Sequence, residues 1–154
     1  TLLLDRPRLA VWGSMSTVFG FAGARVGYIA GNPAFIVALR LVRLPYHLSS
    51  LTQAAALGAL RHSDTMLAMV DDIVQQRDRM GATLSALGYE PYESWTNFIL
   101  FGGVADPAAT WRSLFERGVL VRDVGLPGTL RVSAGTAEET TAFLDQLASI
   151  DSQT

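Results

Sequence analysis

Two amino acids are missing from this chain of 154 residues: it has no cysteine, and all 12 of its basic residues are arginines, so it has no lysine. The absence of cysteine excludes disulfides, thiolate nucleophiles and thiolate zinc sites. Lysine is the side chain that forms imines with carbonyl compounds, so covalent chemistry through a side-chain amine is excluded as well. A genome rich in G and C would favour arginine over lysine, but the chemical consequence is the same whatever the cause.

Charge and long apolar runs are also scarce. Only 17% of the residues are charged, the net charge is −2, and no basic run occurs, so we expect neither a nucleic-acid partner nor an anionic membrane surface. No apolar stretch approaches the roughly 18 residues that span a bilayer, and the opening TLLLDRPRLA lacks the basic start of a signal peptide. We therefore expect a cytoplasmic protein. His47 and His62 stand without carboxylate partners at ligand spacing, so we expect no metal site.

Hydrophobic residues make up 49% of the chain, which is enough for a sizeable core. The first part carries two short apolar segments and two helix-start signals. The predicted elements of this part are strands at Leu9–Trp12 and Arg25–Ala30, a helix from Asn32-Pro33 to Val42, and a helix capped by Ser49 or Ser50 that runs to Ala59.

The second part begins with a long amphipathic helix, predicted from Asp64 to Leu87 and ended by Gly88. Its apolar stripe is more simply a packing face than a binding site; the residues of this stripe are Met66, Val70, Ile73, Met80, Leu84 and Leu87. A β-α-β-β-α pattern follows, which predicts a small α+β domain. Its elements are a strand at Trp95–Phe101, a helix from Asp106 to Gly118, strands at Val119–Val121 and Leu130–Ser133, and a helix from the Thr136/Glu139 capping box to Ile150.

The segment from Ser14 to Tyr28 carries the most chemical information. Serine hydroxyls and the fork of Arg25 suit a phosphate dianion, because arginine gives paired, charge-assisted hydrogen bonds. Taken alone, a loop rich in serine and glycine is more often an ordinary loop. The segment resembles, however, the cofactor-lysine motif of fold-type-I aminotransferases, which bind pyridoxal 5'-phosphate. The positions that match in register are Ser14, Ser16, Phe19, Ala22, Gly23, Arg25, Gly27 and Tyr28. Thr17 occupies the position of the lysine that forms the cofactor's Schiff base.

Two further stretches strengthen this resemblance and narrow it. The run from Gly118 to Gly135, with Arg122 and the Leu-Arg-Val-Ser strand around Arg131, looks like the small-domain signature of histidinol-phosphate aminotransferases. Asn97-Phe98 resembles the Asn-Phe strand of that family. The resemblance implies that Arg131 binds the substrate α-carboxylate, that Arg122 binds its distal phosphate, and that Asn97 lies near the substrate. Without it, both arginines could equally be surface residues on edge strands.

The resemblance implies an α/β fold: the C-terminal part of a fold-type-I aminotransferase, with residues 1–62 from the cofactor domain and its linking helix and 63–154 forming the long helix and small α+β domain. It implies pyridoxal phosphate held by Ser14, Ser16 and Arg25, an amino acid or amino-alcohol phosphate and a 2-oxo acid as substrates, a role in histidine biosynthesis, and a homodimer. Because Thr17 forms no imine, we expect a fragment or a lysine-free variant that is inactive alone. The alternative is a non-catalytic α+β module for ligand binding or dimerisation.

Overall fold

A computed structural model describes residues 6–151. Residues 1–5, which begin the opening TLLLDRPRLA, and residues 152–154 lie outside the described range. A short 3₁₀ helix at Ala22–Ala24 lies between the first two strands. The elements in chain order are β1 (Ala10–Ser14), β2 (Gly27–Gly31), α1 (Pro33–Val42), α2 (Ser50–Arg61), α3 (Ser63–Ala86), β3 (Glu90–Pro91), β4 (Phe98–Gly102), α4 (Pro107–Glu116), β5 (Leu130–Ser133) and α5 (Ala137–Asp151).

The chain divides into two compact units between Ala68 and Met69, inside α3. The assignment of residues 1–62 to a cofactor domain and 63–154 to a small domain stays a prediction. Within the described residues, no helix is long and apolar enough to cross a membrane.

In the first unit, β1 and β2 pair with each other in antiparallel fashion, with Gly13 opposite Tyr28 and Ser14 opposite Gly27. The sequence predicted that β2 begins at Arg25, and this is wrong. Arg25 ends the short 3₁₀ helix in the left-handed region, with φ 54° and ψ 44°. A residue in that conformation cannot continue a β ladder, so the strand begins two residues later.

The predicted helix starts of the first unit are confirmed. The Asn32 side chain accepts a hydrogen bond from the Ala34 N–H at 2.9 Å, and Pro33 is the first residue of α1. Of the two candidate serines, Ser49 caps α2, because its hydroxyl accepts from the Thr52 N–H at 3.0 Å.

The apolar stripe of α3 packs at its C-terminal end, where Met80 and Leu84 are fully buried. Leu87 does not share this burial and is 37% exposed, because the helix has already ended at Ala86. Gly88, at φ 90°, reverses the chain as expected of a residue that follows a helix end. The Tyr89 N–H then reaches back to the Leu84 carbonyl at 3.0 Å.

The second unit is built on an antiparallel sheet of order β3-β4-β5. One face of β4 and β5 packs against α3, α4 and α5 in a single apolar core. The members of this core are Met80, Leu84, Ile99, Phe101, Val104, Leu114, Leu130, Val132, Phe143, Leu144 and Leu147. The strand at Leu130–Ser133, with Arg131 on it, is confirmed.

Two strand predictions in this unit are wrong for local reasons. The strand predicted at Trp95–Phe101 begins only at Phe98, because the Ser94 and Thr96 hydroxyls bond the backbone carbonyl of Phe98 and compete with the ladder.

The strand predicted at Val119–Val121 does not form. The Val119 N–H bonds the last turn of α4 at the Leu114 carbonyl, at 2.9 Å. The Val121 carbonyl accepts from the Trp111 indole at 3.0 Å. Pairing with β5 is limited to the single bridge between Arg122 and Arg131.

The predicted strand and helix order also changes. The short strand β3 was not predicted, and the described order in the second unit is β-β-α-β-α. The capping box at the start of α5 is confirmed in both directions: the Thr136 N–H donates to Glu139 at 2.8 Å, and the Glu139 N–H donates to the Thr136 hydroxyl at 3.2 Å.

Candidate anion-binding sites

The two serines of the first motif lie side by side where β1 ends. The Ser16 N–H donates to the Ser14 hydroxyl at 3.1 Å, and the Ser14 hydroxyl donates to that of Ser16 at 2.8 Å. The intervening Met15 is buried, and its N–H bonds the Val26 carbonyl at 3.0 Å. This tie holds the turn after β1 against the residue that precedes β2, so the hydroxyl pair has a defined position.

Arg25 lines the same pocket as Ser14 and Ser16, and it has an unusual, left-handed backbone conformation. Its guanidinium donates to the Ala22 carbonyl at 3.1 Å, and the side chain is otherwise exposed. The left-handed region costs a non-glycine residue about 1–2 kcal/mol. Backbone strain of this kind concentrates at functional sites, where the surrounding structure holds it.

The pocket has a volume of about 350 Å³. Its lining residues are Trp12, Gly13, Ser14, Ser16, Arg25, Val26, Gly27, Tyr28 and Ile29. No carboxylate occurs among these described lining residues, so the guanidinium charge is not neutralised within the pocket. One cation with two neighbouring hydroxyls is a donor set that suits a phosphate monoester.

Two glycines let the backbone approach closely beside this pocket. A Cβ on Gly27 would lie 2.7 Å from the Gly13 carbonyl oxygen, and a Cβ on Gly13 would lie 2.5 Å from the Tyr28 ring. The Tyr28 ring therefore covers Gly13 across the strand pair. The sequence-based site did not include Tyr28 and Trp12, and side-chain alternation would not have grouped them, because adjacent register pairs project to opposite faces of the β1–β2 pair.

Thr17 is exposed in the turn that follows Ser16. It is not among the described residues that line the pocket. The position carries a hydroxyl where the family motif has an amine, and a hydroxyl forms no imine.

The second candidate site lies in the second unit, where Arg122 and Arg131 are directly opposite. Each donates its backbone N–H to the carbonyl of the other, at 2.8 and 2.9 Å. Residues that pair in this way project their side chains from the same face of a sheet. That face is opposite the core, because the neighbours Leu130 and Val132 are the buried residues of β5.

Arg131 is half-buried and Arg122 is exposed. The Arg131 guanidinium lies 4.7 Å from the centre of the Phe98 ring, in a cation–π contact. Phe98 therefore fixes one of the two charges, and sequence reasoning did not assign it this role. No ion pair is recorded for either arginine among the described residues, so the two like charges share a face without a protein anion.

Asn97 immediately precedes β4, next to Phe98. Its carbonyl accepts from the Ala134 N–H at 2.8 Å, immediately after β5, and its side chain is half-buried. Arg122 and Arg131 are therefore directly paired, and Asn97 is joined to the end of β5 through its backbone carbonyl. Ser14, Ser16 and Arg25 form their own group in the first unit.

Comparison with known proteins identifies the family of this chain. The model of the family "Aminotransferase class I and II" matches residues 1–147. The chain belongs to this family. The resemblance drawn from the motifs and the predicted α/β aminotransferase fold are thereby confirmed.

Within this family, the chain is similar to histidinol-phosphate aminotransferases. The chain is 56% identical over 144 residues to the histidinol-phosphate aminotransferase of Streptomyces avermitilis, covering 94% of this chain and 39% of that protein. It is 54% identical over 147 residues to the enzyme of the same name from Paenarthrobacter aurescens, covering 96% and 40%. The chain thus spans about two fifths of the length of these relatives.

A solved structure shows the same fold. The histidinol-phosphate aminotransferase from Sinorhizobium meliloti, solved in complex with pyridoxal-5'-phosphate, matches with a TM-score of 0.77 and 26% identity. The match covers 97% of this chain and 43% of that one.

Proposed function

We propose that this chain carries the phosphate-binding and substrate-binding arginines of a pyridoxal-phosphate-dependent aminotransferase of the histidinol-phosphate type. The observation that carries the proposal is the pocket of Ser14, Ser16 and Arg25, a cationic donor set without a lining carboxylate. Family membership and the names of the relatives support it.

The residues present fit the phosphate end of the cofactor. The two serine hydroxyls and the Arg25 fork would hold the phosphate, and the absence of a side chain at Gly27 lets the two strands approach closely beside them. When bound, pyridoxal phosphate supplies an aldehyde for an amino group and a ring that withdraws electrons from the adjacent carbon. Arg25 would orient the group through its phosphate.

The residues of the second unit fit the substrate. Arg131, held over Phe98, would bind the carboxylate of an amino acid or 2-oxo acid, and Arg122 would bind the distal phosphate of histidinol phosphate. Asn97, which precedes Phe98 at the start of β4, would contact the substrate. An aromatic amino acid could replace histidinol phosphate as the donor, since it needs Arg131 and not Arg122.

The chain alone would not catalyse transamination. It has no lysine, and the hydroxyl of Thr17 is too weak a base to move a proton at the substrate carbon. The absence of the amine favours a second candidate function, a module that keeps the ligand sites without the chemistry. The homodimer implied by the family resemblance also stays a prediction, which sedimentation at micromolar concentration would test.

Titration of the chain with pyridoxal phosphate, in which binding is measured by calorimetry and absorbance, tests the proposal. We expect reversible binding that Arg25→Ala weakens at least tenfold, and no adduct on a side chain after borohydride reduction. Pyridoxal, which lacks the phosphate, is the matched ligand control and should bind more weakly.

Arg40→Ala is the matched protein control, because Arg40 is an exposed arginine of α1 in the same unit. Equal binding by the Arg25 and Arg40 variants would contradict the assignment of the phosphate site. Turnover of histidinol phosphate with 2-oxoglutarate by the purified chain would contradict the argument from Thr17.

A further inference from the structure

A pocket opens in the second unit where β5 parts from the segment that precedes Arg122. Antiparallel pairing that continued from the bridge between Arg122 and Arg131 would place Leu120 opposite Ser133. That pairing does not form, because residues 118–121 are bonded to α4 instead. The resulting pocket has a volume of about 420 Å³, which lies within the range of roughly 300–1,000 Å³ that is typical of small-molecule sites.

The inner wall of this pocket is apolar and belongs to the core of the unit. Met80, Val132 and Phe143 line it, and each of them is at most 4% exposed. Leu120 also lines the pocket but is 74% exposed. An apolar wall favours the hydrocarbon part of a ligand over water, because water in contact with it finds few hydrogen bonds.

Two polar groups of the pocket have no partner. Thr140 is 2% exposed, and its hydroxyl forms no hydrogen bond in the described structure. The Ser133 N–H points away from β4, because the neighbouring Ala134 N–H bonds the Asn97 carbonyl on the β4 side and successive residues of a strand alternate. No partner for it is recorded among residues 6–151.

An unbonded buried hydroxyl costs free energy that a correctly placed ligand group would recover. A threonine in a helix has two accessible side-chain rotamers. The Thr140 hydroxyl can therefore turn toward a ligand without movement of α5.

The charge of the pocket separates it from the two anion sites. Glu139 is the one charged residue among the described lining residues, and its carboxylate accepts from the Thr136 N–H at 2.8 Å. A carboxylate at the pocket disfavours an anionic ligand, because like charges repel. Arg122, Arg131 and Asn97 do not line this pocket.

From these observations we propose that the pocket is a third ligand site, for a small uncharged molecule with an apolar body and one hydroxyl or carbonyl group. The body would pack on Met80, Val132 and Phe143, and the polar group would bond the Thr140 hydroxyl. Water alone could bond Thr140 but would leave the apolar wall in contact with solvent. The proposal rests neither on family membership nor on the anion sites, so it fails separately from the proposed function.

Phenol and toluene test the proposal, because they have nearly the same shape and differ by a hydroxyl in place of a methyl group. Thr140→Val makes the same exchange in the protein, and it should leave the fold intact because the hydroxyl that it removes has no partner. Both ligands are titrated at millimolar concentration into the full chain and into the variant. Binding is measured by NMR, with the amide signals of residues 132–143 as reporters.

We expect both ligands to shift these signals. The ratio of the toluene to the phenol dissociation constant should fall about fivefold or more from the wild type to Thr140→Val, because the variant leaves the phenol hydroxyl unbonded. Thr110→Val is the matched control, since Thr110 lies on α4 of the same unit and is not among the residues that line the pocket. Its ratio should equal that of the wild type.

Three results would overturn the proposal. The first is an unchanged ratio in Thr140→Val, which would mean that the hydroxyl does not contact the ligand. The second is an equal fall in the Thr110 variant. The third is the absence of shifts at residues 132–143 with either ligand, which would mean that the pocket holds water only.

Discussion

Arg122 and Arg131 lie on the face of the second sheet opposite the core. We expect alanine substitutions at these two positions to change the free energy of unfolding in opposite directions. Arg122 and Arg131 are directly opposite, and no ion pair is recorded for either among residues 6–151. Like charges directly opposite on a sheet destabilise it by roughly 0.2–1 kcal/mol. Arg122→Ala should therefore raise the free energy of unfolding by a few tenths of a kcal/mol, toward the low end because Arg122 is exposed.

Arg131→Ala removes the same repulsion but also the contact with the Phe98 ring. A cation–π contact is worth about 0.5–1 kcal/mol when exposed and about 2 when desolvated, and Arg131 is half-buried. Its aliphatic stem also covers apolar surface. We expect a net loss of about 1 kcal/mol.

Urea denaturation of the full chain, followed in the second unit, measures both changes. Arg112→Ala is the control, since Arg112 is exposed on α4 of the same unit. Added salt should shrink the gain from Arg122→Ala, because it screens an exposed pair. Inorganic phosphate at ten times its dissociation constant should stabilise the wild type by about 1.4 kcal/mol and should stabilise both alanine variants less.

The reasoning would be refuted if Arg122→Ala destabilised the unit by more than about 1 kcal/mol. That result would mean that Arg122 has a structural partner rather than a like-charged neighbour. Full phosphate stabilisation in both variants would refute the anion site while leaving the stability argument intact.

Four other outcomes are expected. Phe101→Ala should destabilise the second unit by about 3–5 kcal/mol in chemical denaturation, because the ring is fully buried. Thr140→Val should be neutral or stabilising in thermal melts, since the buried Thr140 hydroxyl has no hydrogen-bond partner in the described structure. The backbone N–H of Glu138 and the Thr136 hydroxyl hold the pKa of the Glu138 carboxyl below its usual value of 4.5. The ionised carboxylate therefore stabilises the fold fully above pH 4.5, and this contribution is lost as the pH falls through the lowered pKa. In denaturation below pH 5, the free energy of unfolding should fall less in Glu138→Gln than in the wild type. Thr17→Lys should give a borohydride-trappable adduct with pyridoxal phosphate only when the unmatched part of the fold is also supplied, as mass spectrometry would show.

Local signals in the sequence were sufficient wherever a helix end depends on neighbouring residues. Asn32-Pro33, Ser49 and the Thr136/Glu139 box begin helices as predicted. Strand ends were predicted less well. Side chains such as the Trp111 indole and the Ser94 hydroxyl take up backbone groups that a strand would use, and these partners are not evident from strand propensity.

The amino-acid sequence by itself determined which chemistry the chain can and cannot perform. The chain has no lysine, so none of its side chains can form an imine. The motifs around Arg25 and Arg131 identify the family, because a motif consists of residue identities and needs no geometry. Only the tertiary structure decided how those residues are held. In the structure, Arg25 has a left-handed backbone conformation, Arg131 lies over Phe98, and both faces of β1–β2 are exposed. Each of these features depends on contacts between segments that are distant in the sequence, or on a turn that only the fold closes.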